Sequence, residues 1–231
     1  MRVFLVGASG FVGSKILNEL IERGHSVKAV VRDSSKLANF PQIEVEEIDI
    51  NKTEKLVNAI KSADAVISAF NAGWTNPNLY NDFLNGSQAI EKAVEASGTK
   101  RFIVVGGAGS LLDNEGKDLV DAEDFPEQIK PGATAARDYL KKLKQNKNLD
   151  WTFFSPAVEM HPGTSGIRKG EYRTGLDHPV LNNEGRSILS AEDVGVAIVD
   201  ELENPQFIQK RFTAAYYFKS PTKSVELCLF K

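Results

Sequence analysis

Val3-Phe4-Leu5-Val6-Gly7-Ala8-Ser9-Gly10-Phe11-Val12-Gly13 is the stretch on which the reading of this fold turns. The apolar run 3–6 reads as a buried strand. Glycines then recur at 7, 10 and 13, and a helical pattern begins with Ile16, Leu17, Leu20 and Ile21. A turn that passes close to a bulky anion needs residues without a Cβ. The helix that follows offers that anion unpaired N–H groups and the positive end of its dipole. The spacing Gly-x-x-Gly-x-x-Gly is a relative of the dinucleotide fingerprint. Glycine-rich turns are common, so a tight structural turn is the competing reading. Placement between a strand and a helix favours phosphate binding.

Outward from this stretch, strand and helix patterns alternate. Strands are expected at 2–6, 26–31, 43–46 with 48–50 following, 65–69, 101–105 and 151–154. Helices are expected at 12–22, from a cap at Asn51 or Thr53 to about residue 62, at 81–96 and at 133–145. Glycine closes the first at Gly24 and the third at Gly98. The strands are continuous apolar runs, as strands buried on both faces should be. Such alternation predicts an α/β fold: a Rossmann-like, doubly wound parallel sheet flanked by helices. After Ser155 the pattern loosens, with seven prolines and glycines between Pro156 and Pro179. The irregular segment 155–190 is expected to be a small C-terminal, substrate-side region. Regularity returns at 187–189, in a helix over 191–202 and in late strands at 211–217 and 225–230. One domain over 1–231 is the expected organisation.

Composition narrows the function classes. The chain of 231 residues is 42% hydrophobic and 26% charged, ordinary for a globular protein. A net charge of -3 and the lack of a basic stretch give no reason to expect nucleic acid as a partner. No apolar run approaches the roughly 20 residues that span a bilayer, so no membrane partner is expected. The one cysteine, Cys228, reads as a packing residue and fits a reducing, cytoplasmic location. A cleavable leader is not expected, because it would remove part of the first strand. Three scattered histidines with no ligand spacing predict no metal site. Nothing in the sequence fixes the oligomeric state.

The candidate cofactor residues fall at the carboxyl ends of the strands, where open α/β sheets bind ligands. They are Gly7, Ser9, Gly10, Phe11, Val12 and Gly13 in the first turn, and Arg32 with Lys36 after the second strand. Asp49 and Ile50 follow the third strand, and Ala69 and Phe70 the fourth. Gly106 and Gly107 follow the fifth, and Pro156 the sixth. Arg32 stands where an acidic residue usually meets a ribose 2′-hydroxyl. A guanidinium there suits a 2′-phosphate, which points to NADP(H), with NAD(H) possible. Asp33 argues the other way. The second glycine turn, 106–110, strengthens the binding reading.

Beyond the first turn, Val104-Val105-Gly106-Gly107-Ala108-Gly109-Ser110, Phe154-Ser155-Pro156, Gly170-Glu171-Tyr172-Arg173, Ser190-Ala191-Glu192-Asp193 and Arg211-Phe212-Thr213 resemble the atypical short-chain dehydrogenase/reductases. The likeness is to the NAD(P)H-binding branch that includes NADH-flavin reductases, biliverdin reductase B and NmrA-like proteins, and it runs from Met1 to about Tyr217. It implies a Rossmann fold binding a dinucleotide along Gly7–Gly13, Arg32, Asp49-Ile50, Ala69-Phe70 and Gly106-Gly107. The larger family's catalytic Tyr-x-x-x-Lys pair is missing: Tyr139 is present, but Leu143 holds the lysine position.

Without that pair, alcohol deprotonation has no evident base. Reduction of a small planar acceptor, a flavin or quinone, asks less of the protein than positioning two rings. An NAD(P)H-dependent reductase is therefore the expected function. A non-catalytic NAD(P)-binding sensor is the alternative, and a sugar-nucleotide epimerase or dehydratase the third reading. Catalytic candidates are weak. Ser110 is a donor or a loop-structuring residue; His161 is a donor or a hydrogen-bonded loop histidine. Phe70, Trp74 and Tyr80 either stack on a flat substrate or close the core. The stretch 113–127, with seven acidic residues, is either a lid or a solvated face.

Overall fold

In the first strand, β1 (Arg2–Val6), successive side chains alternate between two cores. Val3 and Leu5 enter one with Ile16, Leu17 and Leu20; Phe4 and Val6 enter the other with Leu56, Phe83 and Ile90. That alternation fixes a three-layer arrangement, and the remaining elements follow it in this computed structural model, which describes residues 1–217.

Chain order gives α1 (Gly13–Glu22), β2 (Ser26–Val31), β3 (Glu44–Glu47), α2 (Thr53–Ile60), β4 (Ala65–Ser68), α3 (Leu79–Ser97), β5 (Arg101–Val105), α4 (Lys130–Leu143), β6 (Asp150–Phe154), β7 (Arg173–Gly175), α5 (Ala191–Glu203) and β8 (Lys210–Ala215). The sheet order is β3-β2-β1-β4-β5-β6-β8-β7. Every pairing is parallel except β7 with β8. Helices α1 and α5 cover one face, and α2, α3 and α4 the other. The chain reverses direction across the sheet between β1 and β4, and ligands of such sheets bind outside that switch point. This is the Rossmann-like sheet that the alternation predicts.

Several expectations need correction. β3 lies at Glu44–Glu47, one residue later than expected, and it is a half-exposed outer strand bearing Glu44, Glu46 and Glu47 rather than an apolar run. Neither Asn51 nor Thr53 caps α2. Lys52 takes the cap position with no side-chain bond, while Asp49 accepts from the Asn51 N–H (3.0 Å) and side-chain amide (2.9 Å). Residues 187–189 make only an isolated bridge, Ile188 with Glu159. The three-residue strand β7, inside the segment expected to be irregular, had no apolar alternation to reveal it. The strand expected at 225–230 and Cys228 lie outside the described residues.

Candidate cofactor-binding site

Val6 delivers the chain to Gly7, whose φ of +81° is one that side chains with a Cβ rarely adopt. Gly7 donates its N–H to Val30 (3.1 Å), and its carbonyl accepts from Gly10 (3.0 Å). A Cβ on Gly13 would stand 2.0 Å from the Gly7 carbonyl oxygen, so α1 can start this close only on glycine. No side chain caps α1. The N–H groups of Ser14, Lys15 and Ile16 bond the carbonyls of Gly10 and Val12, so it is the positive end of the helix dipole that α1 presents at the turn.

Beside this turn lies a cavity of about 530 Å³. It brings together Gly7, Ser9, Gly10, Arg32, Asp49, Ile50, Ala69 and Phe70 from the predicted set. Phe11, Val12, Gly13, Lys36, Gly106, Gly107 and Pro156 are not among its walls. Gly86 of α3 lets two apolar side chains close over the helix, since a Cβ there would meet Phe70 at 2.5 Å and Ile50 at 2.7 Å. Phe70 also stacks on Phe83, with ring centroids 6.0 Å apart. The cavity thus joins a flat apolar wall, a polar rim and a glycine turn at a helix N-terminus. Those features fit the adenosine and phosphate parts of a dinucleotide.

Arg32 is exposed on the rim and, among the described residues, forms no ion pair. Two carboxylates adjoining it, Asp33 next in sequence and Glu47 paired across from Val31, are committed elsewhere. Asp33 accepts from the N–H of Ser35 (3.1 Å) and its hydroxyl (2.6 Å), capping a 3-10 turn over Ser34–Leu37. These bonds hold its carboxyl below the usual range. Glu47 accepts from the Ser34 N–H at 2.7 Å. Lys36 lies exposed in the same turn.

The second glycine turn sits on the neighbouring strand end. Gly106 donates to Phe154 (2.8 Å), and a Cβ on it would fall 1.9 Å from the Phe153 ring. Ser110 is fully buried; its hydroxyl bonds the Gly107 carbonyl (2.8 Å) and pairs with the Ser155 hydroxyl (2.9 Å). That geometry ties the loop together. Arg211, buried in β8, donates to the Ser110 carbonyl and to the Asp177 carboxylate. The resemblance had flagged Arg211 without a role; holding this turn is what it does here.

His161 is exposed, and its Nδ1 accepts from the Gly163 N–H at 3.1 Å. It caps the short turn Pro162–Thr164. Tyr139 is buried in the α3–α4 core with no hydrogen-bond partner for its hydroxyl at normal bonding distance, and burial, with the Glu91 carboxylate nearby, pushes its pKa well up. Leu143 is buried beside it. Tyr80 donates to Asp138 at 2.8 Å. The acidic stretch 113–127 is docked, with Val120 buried and Arg137 pairing with Asp118 (3.3 Å) and Asp121 (2.9 Å). No group of three or more metal-ligating side chains gathers among the described residues.

Asn71, Asn76, Asp82 and Asn85 were not singled out in the sequence, yet they line the cavity. The density of Asn between 71 and 85 was the available signal. Asp193 is also placed by tertiary structure: fully buried, it accepts from the N–H groups of Lys169 (3.0 Å) and Gly170 (2.8 Å) and from Tyr216. Glu192 bonds Lys15 (2.9 Å) and the Gly166 N–H (2.9 Å), and Glu19 pairs with Arg168 (2.8 Å). The segment 155–190 is thereby tied to α1.

Residues 7–205 match the NAD(P)H-binding family. The uncharacterised protein YwnB of Bacillus subtilis is 37% identical over 220 residues, which are 92% of this chain and 97% of that one. A structure described as a candidate epimerase, from Bacteroides thetaiotaomicron, is similar with a TM-score of 0.86 at 40% identity, covering 95% of this chain and 98% of the other. A candidate NADH-flavin reductase from Streptococcus pneumoniae has a TM-score of 0.78 at 35% identity, covering 93% and 99%.

Proposed function

This chain belongs to the NAD(P)H-binding family, and on that premise we propose that it is a reductase that passes a hydride from NADPH to a flavin, quinone or similar planar acceptor. One observation carries the reading. The cofactor turn is built to close tolerance, while the helix position that would supply a catalytic acid holds a buried, unpartnered Tyr139 followed by buried Leu143. A site so made binds and orients and leaves proton supply to water. The similarity to the candidate NADH-flavin reductase supports the same acceptor class.

Each residue has a task in this reading. The turn at 7–13 and the start of α1 hold the pyrophosphate. Phe70 and Ile50 flank the adenine, with Asp49 at the ribose side. Arg32 and Lys36 meet the 2′-phosphate, because Asp33 and Glu47 are engaged with the Ser34–Leu37 turn. Gly106, Gly107 and Pro156 border the nicotinamide end. When bound, the reduced nicotinamide supplies two electrons and a proton as hydride; the acceptor's second proton comes from solvent.

The test is purified protein with NADPH or NADH and riboflavin, FMN or menadione, following the absorbance of the reduced nicotinamide. Acceptor-dependent oxidation above the uncatalysed rate is expected, faster with NADPH. Cofactor binding without any such turnover would overturn the reductase reading in favour of a sensor, which the lack of an accessible Tyr/Lys pair also accommodates.

A further inference from the structure

The loop that follows β4 borders the cofactor cavity through Asn71, Ala72 and Asn76. Its tip goes elsewhere. Gly73, at φ +103°, and a bond from the Asn76 N–H to the Gly73 carbonyl (3.0 Å) fold the loop into a turn. Trp74 at that tip leans onto the first turn of α4. A Cβ on Gly132 would lie 2.9 Å from its Cζ3, so the indole sits directly on bare backbone. Leu79 supports the same spot, its Cδ2 3.1 Å from that Cβ position.

Held on one side, Trp74 is nevertheless 60% exposed. Burying an aromatic of this size is strongly favourable, so a fixed indole left in water forgoes stability. Its aromatic companions are committed: Phe70 to the cavity wall and Phe83, Tyr80 to Asp138. The next residue on α4, Ala133, supports the second glycine turn, where a Cβ on Gly109 would be 3.0 Å from its own. Consecutive residues at the start of α4, Gly132 and Ala133, therefore carry Trp74 and the second glycine turn. Exposed Glu123 and Asp124 precede this helix and leave its approach net negative, exposed Glu127 being paired with Lys130 (3.1 Å).

We propose that Trp74 is the stacking platform for the acceptor, and that it favours an uncharged conjugated ring over a phosphorylated one. The inference rests on the reductase reading. The acceptor ring lies against the exposed indole face beside the glycine turn, and the acidic approach repels a phosphate tail.

The chain has two tryptophans, and Trp151 is buried. Trp151→Phe therefore leaves Trp74 as the sole indole reporter, and Trp74→Phe removes it. With NADP present, riboflavin and menadione should quench Trp74 emission saturably, riboflavin at lower concentration than FMN. Trp74→Ala should raise the acceptor KM about tenfold or more and leave the NADPH KM within about twofold. Gly132→Ala, whose methyl would meet the indole at 2.9 Å and the buried Leu79 at 3.1 Å, should push the indole aside and raise the acceptor KM. An unchanged acceptor KM in both variants, with turnover intact, overturns this proposal and spares the reductase reading. Saturable quenching without turnover does the reverse. Emission from Trp74 that shifts to the blue as protein concentration rises would assign the indole to a self-interface and overturn the proposal.

Discussion

Replacing Gly13 with Ala adds one methyl group at the tightest point of the cofactor turn. That Cβ would lie 2.0 Å from the Gly7 carbonyl oxygen, 2.8 Å from its carbon and 3.2 Å from the Ala8 Cα, where ordinary contact begins at 3.4 Å. All three atoms are backbone, so no side chain can swing away, and turn or helix must retreat by more than an ångström. The helix is blocked behind: a Cβ on Gly195 of α5 would be 2.8 Å from the Lys15 carbonyl, so the two helices already touch at backbone distance. The turn is blocked as well, with the Cβ position of Gly7 2.6 Å from the Ala69 carbonyl. Overpacking of this kind costs about 1–3 kcal/mol. At about 2–4 °C per kcal/mol for a chain of this size, the melting temperature should fall by roughly 2–12 °C. Displacing the turn and the helix dipole behind it should weaken NADPH binding about tenfold or more, the equivalent of about 1.4 kcal/mol. Gly10→Ala is the internal comparison: its nearest contact would be 3.3 Å, so a much smaller effect is expected. Thermal melts with and without NADPH, and titration calorimetry, measure both quantities. A Gly13→Ala protein that binds NADPH within twofold of the parent at an unchanged melting temperature would refute the reasoning.

Arg32→Ala should lose about 10- to 150-fold in NADPH affinity, the worth of hydrogen bonds to a charged group, with little change for NADH; equal losses would show that Arg32 does not read the 2′-phosphate. Tyr139→Phe removes a buried hydroxyl that has no partner; stability should hold or rise by up to about 1 kcal/mol and turnover stay within twofold, whereas a large fall in kcat would restore Tyr139 as an acid. Glu19 is buried against Arg168 and Arg23, and the Arg168 hydrogen bond in particular holds its carboxyl below its ordinary value of 4.5. Its contribution is therefore present above about pH 4.5 and lost as the pH falls below it, so urea unfolding of Glu19→Gln should show a shallower acid slope than the parent, and an identical slope would contradict the assignment.

Much of the fold was legible because its signals are local. β1, β2 and β5 lie where their apolar runs put them, each entered through one polar residue, Arg2, Ser26 and Arg101, before the side chains that both cores bury. β3 and β7 were harder to read: an outer strand needs one good face at most, and Glu44–Glu47 and Arg173–Gly175 have little apolar pattern. The site divides similarly. Gly7, Gly10, Arg32, Asp49, Ile50 and Phe70 could be gathered from strand ends because a parallel sheet aligns those ends. The wall formed by Asn71, Asn76, Asp82 and Asn85 could not, because it depends on how the loop after β4 folds back on α3.

The sequence by itself determined the alternation of strands and helices, and with it the sheet and the edge on which the cavity lies. It did so because strand burial and glycine tolerance are properties of a few neighbouring residues. Tertiary structure alone decided which polar groups are spoken for. Asp33 is turned into a capping bond and Ser110 into the interior, while Trp74 is held on Gly132 yet left open to water. Those outcomes depend on partners supplied by distant segments through packing, and residue type alone does not report them.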